Sequence, residues 1–181
     1  MIKKEMASAL NQQINKEMYS AYLYMSMSAY SNKIGLKGFA NWFMVQYHEE
    51  MFHAMKIYEY IQRQGEDAKL VSIETPPDTF QSPLDMFTQT LAHEQYITQS
   101  INDLMDLAVT MKDHGTQIFL EWYVTEQIEE EENDNDILLQ LNLVGDNPHG
   151  LLMLDRELAA RTTTVPTDFS KGVESAAGSA A

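Results

Sequence analysis

The chain has no cysteine. That absence excludes disulfides, thiolate nucleophiles, iron–sulfur clusters and cysteine-ligated zinc, so any metal must be held by oxygen and imidazole. No apolar run approaches the roughly 20 residues of a membrane span. The first residues, MIKKEMASALNQQ, lack the apolar core and small-residue cleavage site of a secretory signal. No membrane association is expected, and the expected location is the cytoplasm. Bases are scarce, with 12 Lys and Arg against 27 Asp and Glu, for a net charge of −15. Such a surface repels phosphate backbones and attracts cations, so no nucleic-acid partner is expected. Alternating strand patterns and Asn-Gly or Asp-Gly hairpin turns are also missing, which leaves an all-α chain.

What is present is apolar residues at helical spacing over long stretches, in a chain of 181 residues, enough for one domain with a sizeable core. Breaks at Asn32 to Gly35, Gly65 through Pro76 and Pro77, Asp113 to Gly115, and Gly145 to Pro148 divide it into four long helices and a short one. The first spans about 3–32 and the second 36–64, with Gly65 just past its end. The third opens on Ser82 as N-cap and Pro83 as first helical residue, and the fourth covers 115–144. The fifth, 148–160, opens on Asn147 and Pro148. About seventeen residues join helices two and three, long for a compact domain, so this link is expected to cross the length of a four-helix bundle. Residues 1–160 form the expected domain. Residues 161–181 form a tail, expected to be flexible because VESAAGSAA has little apolar surface to bury.

The inward stripe of each long helix is interrupted by an acid near its midpoint. Helix one reads Leu10, Ile14, Glu17, Ala21, Tyr24, Ser28, and helix two reads Phe39, Phe43, Gln46, Glu50, His53, Ile57, Tyr60. Helix three reads Leu84, Phe87, Leu91, Glu94, Thr98, Ile101, Met105, and helix four reads Leu120, Tyr123, Gln127, Glu130, Asp134, Ile137, Leu141. At about 1.5 Å rise per residue, mid-helix acids reach one level whichever way their helices run. Four carboxylates and the imidazole of Glu50-x-x-His53, an i, i+3 pair on one face, would converge there.

A single helical glutamate is usually a solvated surface residue; four in register are not. Packed together without counter-charge they would protonate, because burial and like-charge neighbours both disfavour the carboxylate. Two divalent ions bring +4 against −4 from Glu17, Glu50, Glu94 and Glu130 and leave a formally neutral core. Oxygen ligands with one imidazole suit Fe(II), and equally Mn(II), Zn(II) or Co(II).

The set Glu17, Glu50-x-x-His53, Glu94, and Gln127 with Glu130 resembles the dinuclear ferroxidase centre of bacterial non-haem ferritins over residues 1 to about 160. The long crossover is likewise that of ferritin-like bundles. The resemblance implies that Glu17, Glu50 and His53 hold one iron. It gives Glu50, Glu94 and Glu130 to the second, with Gln127 nearby. It implies a third iron position at Glu49, Glu126, Glu129 and Glu130, and a role for Tyr24 as electron donor or hydrogen-bond partner. It further implies oxidation of Fe(II) by O2 or peroxide and storage of the ferric product in a homo-oligomeric cage of 24 subunits.

Within the run EQIEEEENDND, Glu131 and Glu132 read as a solvated acidic face. Trp122, off the stripe, reads as packing, and His48, His93, His114 and His149 lack a ligand constellation. Bacterioferritins and many di-iron enzymes carry a second Glu-x-x-His. Here Ile97 follows Glu94 by three residues, and Glu130 stands where the other histidine would be needed. Met51 occupies the position of a bacterioferritin's haem-binding methionine, but it reads as interface packing and no haem is expected. A rubrerythrin-like enzyme would need a cysteine-bearing domain, and a DNA-protecting mini-ferritin an intersubunit iron site and a surface that DNA does not repel.

Overall fold

A computed structural model of the chain describes residues 1–173. It contains α1 (Lys4–Lys33), α2 (Lys37–Arg63), α3 (Pro83–Met111), α4 (His114–Val144) and α5 (Pro148–Leu158), each within two residues of the expected bounds, with no strand among the described residues. None of these helices is long and apolar enough to cross a membrane.

The caps follow local chemistry. Ser82 accepts from the Asp85 N–H to open α3, and the Asn147 side chain accepts from His149 and Gly150 to open α5. Asp113, which the sequence marked only as part of a break, caps α4 through the Thr116 N–H at 3.1 Å. The α1–α2 turn passes through Gly35 at φ 88°, a left-handed conformation that glycine adopts without strain.

α1 pairs with α2 and α3 with α4, while α1 also packs on α3. The crossover, residues 64–82, is laced to α1 along its length. Asn11 binds both Asp67 and Lys69 of the crossover, Asn15 donates to the Ser72 carbonyl, Ser26 to that of Pro77 and Tyr30 to that of Phe80. α3 therefore starts at the end of the bundle where α1 stops, and all four mid-helix acids come to one level.

That level separates two apolar clusters of different character. One is largely aliphatic, with Leu10, Ile14, Ile57, Ile61, Ile101 and Leu120; the other is aromatic, with Phe39, Trp42, Phe43 and Phe87. The predicted stripes of α1, α2 and α4 are buried throughout. That of α3 is corrected by the structure. Phe87, Glu94 and Ile101 are buried as expected, but with Met86, Thr90, Ile97, Leu104 and Ala108; Leu84 is exposed, and Leu91, Thr98 and Met105 are half-buried. Residues seven apart are common to both stripes, and which side of them is buried depends on where α1 and α4 meet α3.

α5 docks on the start of α2. The Asp155 carboxylate accepts from the Gly38 and Phe39 N–H groups at 2.8 and 3.1 Å, capping a helix that has no capping side chain of its own. Contact is so close that a Cβ at Gly38 would lie 1.5 Å from the Asp155 carbonyl oxygen. Within the expected tail, Arg161 turns back onto α2, and Val173 is buried with its N–H donating to Glu59 at 2.8 Å. Residues 174–181, and the flexibility expected of them, lie outside the described residues.

Candidate metal centre

Glu17, Glu50, His53, Glu94, Gln127 and Glu130 are all buried at the middle of the bundle. Ligand atoms of Glu17, Glu50 and His53 lie within 4.8 Å of one another, and so do those of His53, Glu126 and Glu130. The first group is the one expected for a first metal. The second brings in Glu126, whose Oε1 is 3.8 Å from His53 Nε2, in place of Glu94.

The oxygens of Glu94 are held from two sides. The Tyr24 hydroxyl donates to one, and Gln127 Nε2 donates to the other at 3.1 Å and to the Glu94 carbonyl at 3.2 Å. Of the four residues expected at a third position, Glu130 is in the inner layer, Glu126 borders His53, Glu129 is exposed, and Glu49 is paired with Arg161. They do not form one group.

Several buried acceptors have no partner: Glu17 Oε2, Glu50 Oε1, Gln46 Oε1 and both oxygens of Asp134, besides the ring nitrogen His53 Nε2. A bundle core that leaves this many acceptors bare is short of donors or cations. The protonation pattern agrees. Burial raises Glu50 and Glu94 above the ordinary carboxyl range, and burial with the nearby Glu94 charge pushes Glu130 up to about 8. Burial alone would push His53 down, but Glu50, Glu126 and Glu17 around it outweigh that and raise it. Burial likewise raises Tyr24 well above its usual value, helped by Glu94.

Sequence reasoning passed over several residues here. Asp134 lay on the predicted stripe without being singled out; it is 1% exposed and pushed up to about 9 by burial and by Glu94 and Glu130. Gln46, one turn before Glu50, donates to Glu130 Oε2 at 2.9 Å. Gln13 donates to Glu17 Oε1 at 2.8 Å and accepts from Ser100 Oγ, which in turn accepts from Lys16 Nζ. A glutamine one turn from a mid-helix glutamate, at 13 before 17 and at 46 before 50, was the available signal.

Trp122 also lies closer than its offset suggested, edge-on to the His53 ring with centroids 5.3 Å apart and under Lys56. His93 has a partner, Ser20 Oγ at 2.7 Å, and burial lowers it to about 4.

A four-helix bundle with one long crossover and a mid-bundle layer of inward carboxylates that includes a Glu-x-x-His pair is the architecture of the ferritin-like class. The chain belongs to the ferritin family: the model of the ferritin-like domain matches residues 7–144. It is 42% identical to a bacterial non-heme ferritin of Staphylococcus epidermidis over 162 residues, 90% of this chain and 98% of the relative, and 39% identical to one of Staphylococcus aureus. Among solved structures it resembles an Archaeoglobus fulgidus ferritin engineered into a closed form, with TM-score 0.90 and 46% identity over 91% of this chain and all of the other. An open-pore ferritin from the same archaeon superposes with TM-score 0.88, also at 46% identity, over 90% of this chain and all of that one.

Proposed function

We propose that this ferritin stores iron by first oxidising it, taking two Fe(II) per chain into the mid-bundle layer. The observation that carries this reading is the set of buried, partnerless acceptors on Glu17 and Glu50 beside His53, in a layer whose other glutamates are Glu94 and Glu130. The donor set fits: hard carboxylate oxygens with one imidazole, no thiolate, and four negative charges when ionised, which two divalent ions neutralise. Glu17, Glu50 and His53 take the first ion. Glu130 takes the second with Glu50 between the two, while Tyr24 and Gln127 orient Glu94 toward it.

Holding two irons side by side turns separate one-electron steps into a paired one. Each Fe(II) gives one electron, and O2 with two protons leaves as hydrogen peroxide. Oxidation raises the metal charge from +4 to +6, which four carboxylates no longer balance. Water bound to the ferric ions then loses protons and the product becomes easier to expel. It collects inside a homo-oligomeric cage of 24 chains in the cytoplasm. Exposed apolar residues on α1 (Tyr22, Met25) and on the crossover (Leu70, Val71, Ile73) support contacts between chains.

Anaerobic apoprotein mixed with two Fe(II) per chain and then exposed to air is expected to oxidise iron faster than buffer does, and Glu50→Ala to lose that acceleration. Equal rates for protein and buffer, or an undiminished Glu50→Ala, would defeat the oxidative part. Monomers or dimers by light scattering would defeat the cage.

A further inference from the structure

Arg161 is the third residue after the end of α5, and three contacts fix where it points. The Asp155 cap on α2 and the abutment of Gly38 lock α5 to α2. Asn41 Nδ2 then holds the carbonyl oxygens of Leu158 and Arg161 at 3.2 and 2.9 Å. The guanidinium lies over the Trp42 ring, 4.6 Å from its centroid, and Nη2 donates to Glu49 Oε2 at 2.7 Å. Glu49 is only 7% exposed. This is a partly desolvated, aromatic-backed pair, whereas most surface salt bridges are loose and contribute little. The same guanidinium lies close enough to Glu130 and Asp134 to act on both electrostatically, and Glu49 itself feels Glu126 and Glu129.

We infer that Arg161 is a built-in cation that occupies the outer carboxylate position at Glu49 and so restricts this chain to the two metals of the inner layer. The inference rests on the metal-binding reading above and narrows it. Two effects act together. Nη2 takes one of the two Glu49 oxygens that an outer ion could use. The guanidinium's positive charge also repels a divalent ion approaching Glu126, Glu129 and Glu130. One guanidinium nitrogen, Nη1, is buried without an acceptor, so the pair is an ion-for-ion substitution at Glu49 and not part of a closed network.

The test is an anaerobic Co(II) titration of the assembled full-length protein by equilibrium dialysis, on the natural chain and on Arg161→Met, Arg161→Gln and Arg161→Lys. The natural chain is expected to bind two ions per chain tightly and a third at least about tenfold more weakly. Arg161→Met, which keeps bulk over Trp42 without charge, and Arg161→Gln should tighten the third by about tenfold or more, and Arg161→Lys should stay near the natural value. Three ions of similar affinity in the natural chain overturn the inference whether or not any variant folds. So does an unchanged third ion in Arg161→Met. Glu50→Ala run in parallel separates the two ideas. If Co(II) binding does not depend on Glu50, the inner-layer reading fails; if it does and Arg161→Met changes nothing, only the role of Arg161 fails.

Discussion

Glu49 and Glu50 are neighbours in the chain and both are buried, yet they lie in regions that solve the same electrostatic problem differently. Glu50 faces the inner layer, where one of its oxygens has no partner; His53 pulls against the shift, but burial, with the Glu94 and Glu17 charges, holds it well above the usual carboxyl range. Glu49 faces the α5 side, where Arg161 supplies a fixed cation at 2.7 Å. Burial raises Glu49 too, but Arg161 and His53 pull against that. At the margin the chain neutralises its own carboxylate. In the middle it leaves acceptors bare, which costs stability and creates the affinity for divalent ions.

The two regions should differ most in oxidation kinetics. Glu50→Ala should slow the first turnover at two Fe(II) per chain by about a hundredfold or more, at least the upper range for losing a group that only supports a metal ligand, whereas Glu49→Gln should change it by about threefold or less. Stopped-flow absorbance of the ferric product measures both. Equal losses would erase the distinction between the regions.

A second effect sharpens it through pH. Glu130 is pushed up to about 8 and Asp134 to about 9, above the values of 4.5 and 3.8 that they have when unfolded. A carboxyl raised on folding contributes stability that is fully present below its unfolded value and lost as pH rises through its folded one. Metal-free protein should therefore melt at progressively lower temperature from about pH 5 to pH 9, by on the order of 5 °C. Asp134→Asn should remove part of that slope, and saturating Co(II) should flatten it by supplying the charge that protons otherwise supply. Binding at pH 7 should release protons in a weakly buffered solution. A metal-free protein with a flat profile would show that these groups stay ionised.

Most of the inner layer was legible because helical periodicity carries it. Glu17, Glu50, His53 and Glu130 each interrupt an apolar stripe that the structure buries in full, and Ser82 and Asn147 announce helix starts by short-range chemistry. The stripe of α3 was misassigned by one side because Phe87, Glu94 and Ile101 belong to either alternative. Only packing against α1 and α4 decides between them. Arg161 was not legible at all. Its contact with Glu49 joins residues 112 apart through the docking of α5, which no periodicity reports. Asp134 falls on the inward stripe of α4, but its bare oxygens are a property of what faces it across the bundle.

The smallest expected effect concerns the support behind Glu17. Lys16 donates to Ser100, Ser100 to Gln13 and Gln13 to Glu17, so every donor in the chain points toward the metal layer. Ser100 gives Gln13 a reason to present its amide nitrogen, not its oxygen, to the carboxylate; an amide left free could turn over and set oxygen against oxygen. Ser100→Ala should therefore weaken binding of the first ion by about three- to tenfold, in line with one net hydrogen bond between neutral groups, while leaving the rate at saturating Fe(II) within about twofold. Ser100→Thr, which keeps a hydroxyl, should recover part of the affinity. A loss in Ser100→Ala as large as that in Glu17→Ala would mean that the serine acts through folding of α3. No loss would mean that Glu17 is positioned by its own helix alone.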